Sequence, residues 1–118
     1  MSGTDTLRVG EKMSEIQEIN DQNYRKFVNG KGLRGLKVGA KWCSPCRDLE
    51  KVLPRIAKAQ PSITWGKADS QESPKLCKKY KVEGIPLILI FRNGKRIGRS
   101  EGYDTYKEIV LWLVKVCK

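Results

Sequence analysis

Cys43 and Cys46 form a CxxC pair in a chain of 118 residues that has four cysteines and no histidine. Such a pair suits thiol-disulfide exchange, in which a thiolate attacks a disulfide sulfur and a mixed disulfide is the intermediate. A cysteine at the start of a helix faces unpaired backbone N–H groups and the positive end of the helix dipole, and both stabilise its thiolate. Cys43 is predicted to hold that place. Cys46, one turn on, lies on the same side of the helix, so it is placed to attack the mixed disulfide on Cys43 and release the reduced partner. Lys41 and Arg47 flank the pair and lower the Cys43 pKa further where they point toward it, although exposed charges contribute little at physiological salt. Zinc is the competing chemistry. Without histidine its only ligand set is Cys43, Cys46, Cys77 and Cys117, which lacks the second close doublet of a structural site, so no metal is expected.

The elements that must position the pair follow from hydrophobic spacing. Residues 1–12, rich in Gly, Ser, Thr and charge, read as a flexible leader, and residues 13–118 as one domain. Met13 to Ile19 alternates and predicts a short strand anchored by Ile16 and Ile19. Asp21 is placed to cap a helix to about Asn29, with Tyr24, Phe27 and Val28 at helical spacing and Gly30 and Gly32 ending it. A strand follows from Leu33 to Ala40, with Leu36, Val38 and Ala40 on one face. From Ser44 or Pro45 the period changes to 3.6, with Leu49, Val52, Leu53, Ile56 and Ala57 as the stripe. The CxxC therefore lies at a strand-to-helix junction. Pro45 costs no helical hydrogen bond there, while Pro54 inside the stripe predicts a kink. Ile63 to Asp69 reads as a strand, Ser73 to Tyr80 as a helix, and Leu87 to Phe91 as a buried strand opened by Pro86. Asn93-Gly94 predicts a hairpin into Arg96 to Ser100, and Tyr106, Ile109, Val110, Leu113 and Val116 mark a last helix. The order β-α-β-α-β-α-β-β-α implies an α/β fold, a central mixed β-sheet flanked by helices on both faces.

Composition narrows the partners. Hydrophobic residues at 39% and charged ones at 31% exclude a disordered chain. The net charge of +11 raises nucleic acid as a ligand. Residues 1–60 carry 12 basic and 7 acidic side chains and residues 61–118 carry 12 and 6, so the charge forms no basic tail. The densest run, Lys75, Lys78, Lys79 and Lys81, reads as a solvated helix face, and no nucleic-acid role is expected. No apolar run resembles a signal peptide, and Ile85 to Phe91 is far short of a membrane span, so a soluble, intracellular protein without a membrane partner is expected.

Three motifs in order carry a family resemblance: Trp42-Cys43-Ser44-Pro45-Cys46 after a strand, Ile85-Pro86 before a buried strand, and Gly102 before the last helix. From about Met13 to the C-terminus the chain resembles the thioredoxin family. The resemblance implies the thioredoxin fold, with Cys43 attacking, Cys46 resolving and Trp42 shielding the dithiol. It implies that Pro86 is a cis-proline beside the cysteines, and that its backbone pairs with an extended substrate segment. Gly84, Ile85 and Gly102 would complete a shallow substrate groove with Trp42, Ser44 and Pro45.

The departures concern tuning. Ser44 stands where the family usually has Gly, and residues between the cysteines shift the redox potential. Lys37 stands where the family places a buried Asp that assists the resolving cysteine, and Gly39 where it often has Trp. Lys37, Gly39 and Lys41 share one strand face. The Lys37 stem is expected to stretch over the space left by Gly39 and bring the ammonium toward water, where it would stabilise a thiolate and make the disulfide more oxidising. The resolving step must do without the family's carboxylate, because nothing else in the sequence is an evident proton acceptor. Cys77 reads as a small core residue, and Cys117 has no assigned role.

These readings converge on a thiol-disulfide oxidoreductase that reduces protein disulfides, needs no bound cofactor, and works as a cytoplasmic monomer recharged by a thioredoxin reductase-type donor. The same motif also serves disulfide oxidases and isomerases. A different class of function is a non-catalytic scaffold for an acidic partner, against which the intact Trp-CxxC and Pro arrangement argues. Lys37, Lys41 and Arg47 bracketing the dithiol would favour acidic clients or an acidic reductase.

Overall fold

The computed structural model describes residues 16–103 and 105–118. The leader and the first residues of the predicted first strand lie outside them. The elements are β1 (Ile16–Ile19), α1 (Tyr24–Val28), β2 (Leu33–Gly39), α2 (Ser44–Ala59), β3 (Ile63–Asp69), α3 (Pro74–Lys79), β4 (Leu87–Arg92), β5 (Lys95–Glu101) and α4 (Tyr106–Val116). This is the expected order. The sheet runs β1-β3-β2-β4-β5, parallel from β1 through β3 to β2 and antiparallel from β2 through β4 to β5.

Alternation divides the core into two layers. Leu36 and Val38 of β2 and Leu87, Leu89 and Phe91 of β4 pack with Tyr24, Phe27, Val28 and Leu76 of α1 and α3. Ile63 and Trp65 of β3 and Ile88 and Ile90 of β4 meet Leu49, Leu53 and Ile56 of α2 and Ile109 and Leu113 of α4 on the other face. Strand β4 is apolar on both sides because both are covered, which explains its unbroken Leu-Ile run. Gly35 has no side chain for a packing reason: a methyl there would come 2.6 Å from the buried Trp65 ring on the adjacent strand. At the β4-β5 turn, Asn93 and Gly94 take φ of 49° and 85°, the left-handed pair that a two-residue hairpin requires.

Two local expectations are corrected. Asp21 does not cap α1. Asn23 occupies that position, because the Asn20 and Asn23 side chains close a turn by accepting from Gln22 N (2.9 Å) and Asn20 N (2.8 Å) and delay the helix. The Asp21 carboxylate instead accepts from Lys75 N (3.1 Å) and Leu76 N (2.9 Å), capping α3 across the fold. The second strand ends at Gly39 rather than Ala40. Pro54 lies inside α2, as its place in the stripe implies, and its missing N–H leaves the Glu50 carbonyl without a helical donor.

Candidate active site

The end of β2 delivers the chain into α2, and Cys43 falls on the N-cap of that helix. Its N–H donates to the Ala40 carbonyl (3.2 Å), fixing the turn. The Cys46 N–H donates to Cys43 Sγ (3.3 Å), so an orphan donor of the first turn already points at the sulfur where negative charge would develop. Cys43 and Cys46 form a disulfide. Cys46 is the more deeply placed, at 2% exposure against 6% for Cys43.

Pro86 follows a cis peptide bond from Ile85, as the resemblance implies. The Ile85 carbonyl oxygen is 3.9 Å from Cys43 Sγ, and the Ile85 side chain packs on Ala40, Cys43 and Cys46. Gly102, with φ of 84°, donates its N–H to the Pro86 carbonyl (2.7 Å) and so ties β5 to this loop. Arg99 anchors the segment just before it, donating to the carbonyls of Tyr80 (2.7 Å) and Lys81 (2.9 Å). Trp42 is 64% exposed beside the cysteines, while Ser44 and Pro45 lie exposed in the first turn of α2. Ile85 thus lies against the dithiol, Pro86 follows it in the chain, Gly102 is bonded to Pro86, and Gly84 is in the loop that leads to them.

Lys37 is nearly buried on the α2 face of β2. Its Nζ is 3.4 Å from the place where a side chain at Gly39 would begin, so the end of the side chain lies against that space. Its ammonium, however, reaches a carboxylate before it reaches bulk water: Glu50 Oε1 is 3.6 Å away. The same oxygen is 3.4 Å from Lys67 Nζ, and Lys67 is 3.5 Å from Glu18. Glu18, Lys67 and Lys37 lie in lateral register on β1, β3 and β2, with Glu50 reaching over the two lysines from α2.

The charges act on one another in different directions. Burial holds the Lys37 ammonium below the usual lysine range, with Lys67 adding repulsion and Glu50 opposing both. Burial alone would raise Glu50, but Lys37 and Lys67 outweigh it and keep the carboxyl below its ordinary value. Burial likewise opposes charge on Lys67, yet Glu50 and Glu18 carry its pKa above the ordinary one.

A cleft of about 430 Å³ opens behind the disulfide, lined by Cys46, Gly39 and this charge chain. Lys41 and Arg47 are exposed at its margin, and Arg47 Nη1 donates to the Lys41 carbonyl (3.4 Å). Four basic and four acidic side chains line the cleft, so the cations around the dithiol are matched by carboxylates that sequence reasoning passed over. Glu50 was visible as the residue one helical turn beyond Cys46. Lys67 was not, because its position depends on strand register. Among the described residues no group of three or more His, Cys, Asp or Glu is arranged to hold a metal ion. Cys77 and Cys117 are free and partly buried, away from the pair.

A redox-active CxxC at a helix N-terminus, set against a proline loop at the end of a mixed sheet, defines a thiol-disulfide oxidoreductase. The family model for thioredoxin matches residues 15–115, and the chain belongs to the thioredoxin family. A thioredoxin of Chlamydia trachomatis is 33% identical over 100 residues, covering 85% of this chain and 97% of that protein. The chloroplastic M-type thioredoxin of Pisum sativum is 34% identical over 92 residues, covering 76% of this chain and 54% of that protein. The structure of the Malassezia sympodialis thioredoxin Mala s 13 agrees in fold, with a TM-score of 0.78 at 20% identity over 88% of this chain and 92% of that one. Among the described residues no helix is long and apolar enough to cross a membrane.

Proposed function

We propose that the chain is a cytoplasmic, monomeric reductant of protein disulfides, with Cys43 as nucleophile and Cys46 as resolving cysteine. The observation that carries the assignment is the asymmetry of the pair: Cys43 is the N-cap whose sulfur receives the Cys46 N–H, while Cys46 is the more buried member. In the reduced protein the Cys43 thiolate attacks one sulfur of a client disulfide, and the other client sulfur leaves as a thiolate. The Cys46 thiolate then attacks Cys43 Sγ. The mixed disulfide breaks, the second client thiol is released, and the Cys43–Cys46 disulfide forms. Two electrons have passed from the dithiol to the client, and a reductase-type donor returns them.

Trp42, Ser44, Pro45, Gly84, Ile85, Pro86 and Gly102 hold the client as an extended segment beside the dithiol, and Lys37 and Lys41 tune its thiolates. Support for the segment comes from the Ile85 carbonyl beside Cys43 and from the exposed Trp42. The free Cys77 and Cys117 fit a reducing compartment, where unpaired thiols persist. Residues 1–12 serve as a leader to a single domain over 13–118.

Insulin reduction with dithiothreitol tests the roles. Wild type accelerates it, Cys43→Ser is inactive, and Cys46→Ser accumulates a mixed disulfide on Cys43 that a non-reducing gel resolves. Activity retained by Cys43→Ser, or an adduct formed by Cys43→Ser and not by Cys46→Ser, overturns the assignment.

A further inference from the structure

A second cleft, of about 610 Å³, lies on the α1 and α3 side of the sheet, at the end away from the dithiol. The register places it. Phe91 in its wall pairs with Arg34 near the start of β2, whereas the chain reaches Cys43 only after β2 ends at Gly39. From Leu87, opposite Val38, to Phe91 the strand covers about 13 Å. A client segment on the dithiol therefore leaves this cleft open.

The walls come from three directions. Tyr24 and Arg25 stand on α1, Lys79 and Tyr80 at the end of α3, and Arg96 on β5, directly opposite Phe91 in the pairing. Tyr80 meets Tyr24 and Phe91 edge to face, with centroids 6.0 and 5.6 Å apart, so the rings form one aromatic wall. Tyr24 and Phe91 are buried in it, and Tyr80 is partly exposed. The hairpin that carries Arg96 is held to the loop before β2 by reciprocal bonds, from Gly32 N to Asn93 Oδ1 (2.8 Å) and from Asn93 N to the Gly32 carbonyl (3.0 Å). The cleft is thus formed in advance of any ligand.

Its cations are not spent on other partners. Arg25, Lys79 and Arg96 are exposed and no carboxylate lines the cleft, whereas beside Cys46 basic and acidic side chains are equal in number. Arg25 Nε donates to the Tyr24 hydroxyl (3.3 Å), which leaves both Nη groups without a partner among the described residues. Lys79 and Arg96 likewise have no ion-pair partner among them. Basic residues near helix ends commonly serve the last carbonyls. Here Asn29 N and Gly30 N take those of α1, and the N–H groups of Tyr80, Lys81 and Val82, with the Arg99 guanidinium, take those of α3. Burial and Tyr24 hold the Tyr80 phenol above its ordinary pKa while Arg96 and Arg25 oppose them, so the phenol remains a hydrogen-bond donor at neutral pH.

We propose that this cleft binds a phosphorylated ligand that carries an aromatic ring, of the nucleoside diphosphate class, with Arg25, Lys79 and Arg96 on the phosphates and Tyr80 against the ring. The three cations match the roughly three negative charges of such a ligand, guanidinium forks suit phosphate oxygens, and a cleft of several hundred Å³ takes a molecule of that size. Inorganic phosphates would use the cations and leave the aromatic wall idle. A nucleoside would do the reverse.

Titration of the 15N-labelled chain with magnesium-free ADP at low salt, followed by amide shifts, tests the site. Saturable shifts at residues 24–29, 79–80 and 94–96, with 42–46 unmoved, are expected at a Kd below about 1 mM. Pyrophosphate and adenosine, each keeping half of the contacts, are expected to bind at least about tenfold more weakly than ADP. Arg25→Gln and Arg96→Gln are each expected to weaken ADP by about tenfold, and Lys58→Gln, which removes an exposed cation from α2, by less than about twofold. All three positions are exposed, so the fold does not depend on them. Shifts that do not saturate, shifts centred on 42–46, or equal weakening by Lys58→Gln overturn the site. Pyrophosphate or adenosine binding as tightly as ADP overturns the ring-bearing phosphate as its ligand.

Discussion

Asp21 is the residue on which α3, and hence the approach to the Pro86 loop, depends. Its two carboxylate oxygens accept from Lys75 N and Leu76 N, donors that a six-residue helix leaves unpaired in its first turn. Ser73 holds the N-cap position but makes no capping bond, and its buried Oγ has no hydrogen-bond partner. Asp21→Ala removes both acceptors and the negative charge at the helix start, a loss at the upper end for caps, about 2 kcal/mol. With an unfolding entropy of about 2.1 cal/mol/K per residue, that loss lowers the melting temperature of a chain this size by about 8 °C. Asp21→Asn keeps one acceptor oxygen and is expected to lose about half as much. Ser73→Ala forfeits no bond and is expected to move the midpoint by less than about 2 °C. A thermal melt by circular dichroism at pH 7 measures all three. Cys77 supplies a second readout: burial and then Asp21 raise its thiol pKa, so Asp21→Ala should also speed its alkylation by iodoacetamide. A midpoint loss below about 2 °C for Asp21→Ala, or a larger one for Ser73→Ala, would refute the cross-fold cap.

Two further outcomes concern the charge chain. Lys37→Met removes a cation within about 7 Å of Cys46 Sγ, and a unit charge at about that distance in an effective dielectric of about 20 is worth about 2.4 kcal/mol. Less stable thiolates favour the disulfide, so the redox potential against a glutathione buffer is expected about 50 mV more negative, and a shift under about 10 mV would remove Lys37 from the tuning of the pair. Glu50 has a folded pKa below its unfolded value, so its ion pairs stabilise the fold above pH 4.5 and fade as pH falls through the folded pKa. The gap in melting temperature between wild type and Glu50→Gln is therefore expected at pH 7 and to close as the pH falls from 4.5 through the folded pKa, measured by calorimetry across that range.

What could be read from the sequence and what could not differ in the range of the interactions involved. The Cys43 N-cap is local: Ser44-Pro45 and the stripe from Leu49 to Ala57 start a helix there whatever the rest of the chain does. The two-layer sheet was legible for a similar reason, because Leu36 and Val38 declare one face of β2 by alternation and the unbroken apolar run from Leu87 to Phe91 declares a strand covered on both faces. Asp21 was misassigned because its neighbours offered a nearer helix, and a carboxylate satisfies whichever unpaired N–H groups the tertiary fold brings close. Lys37 read alone was an isolated lysine aimed at water. Only the register of β1, β3 and β2 puts Lys67 directly opposite it and Glu18 beyond, and only the pitch of α2 sets Glu50 above them. The same register changes what the net charge means at the site. Lys37 and Lys67 are matched by Glu50 and Glu18, so their field largely cancels at a distance while each partner still governs its neighbour's protonation. A long-range preference for acidic clients would then have to come from lysines elsewhere on the surface, leaving this chain to act at short range on Cys46.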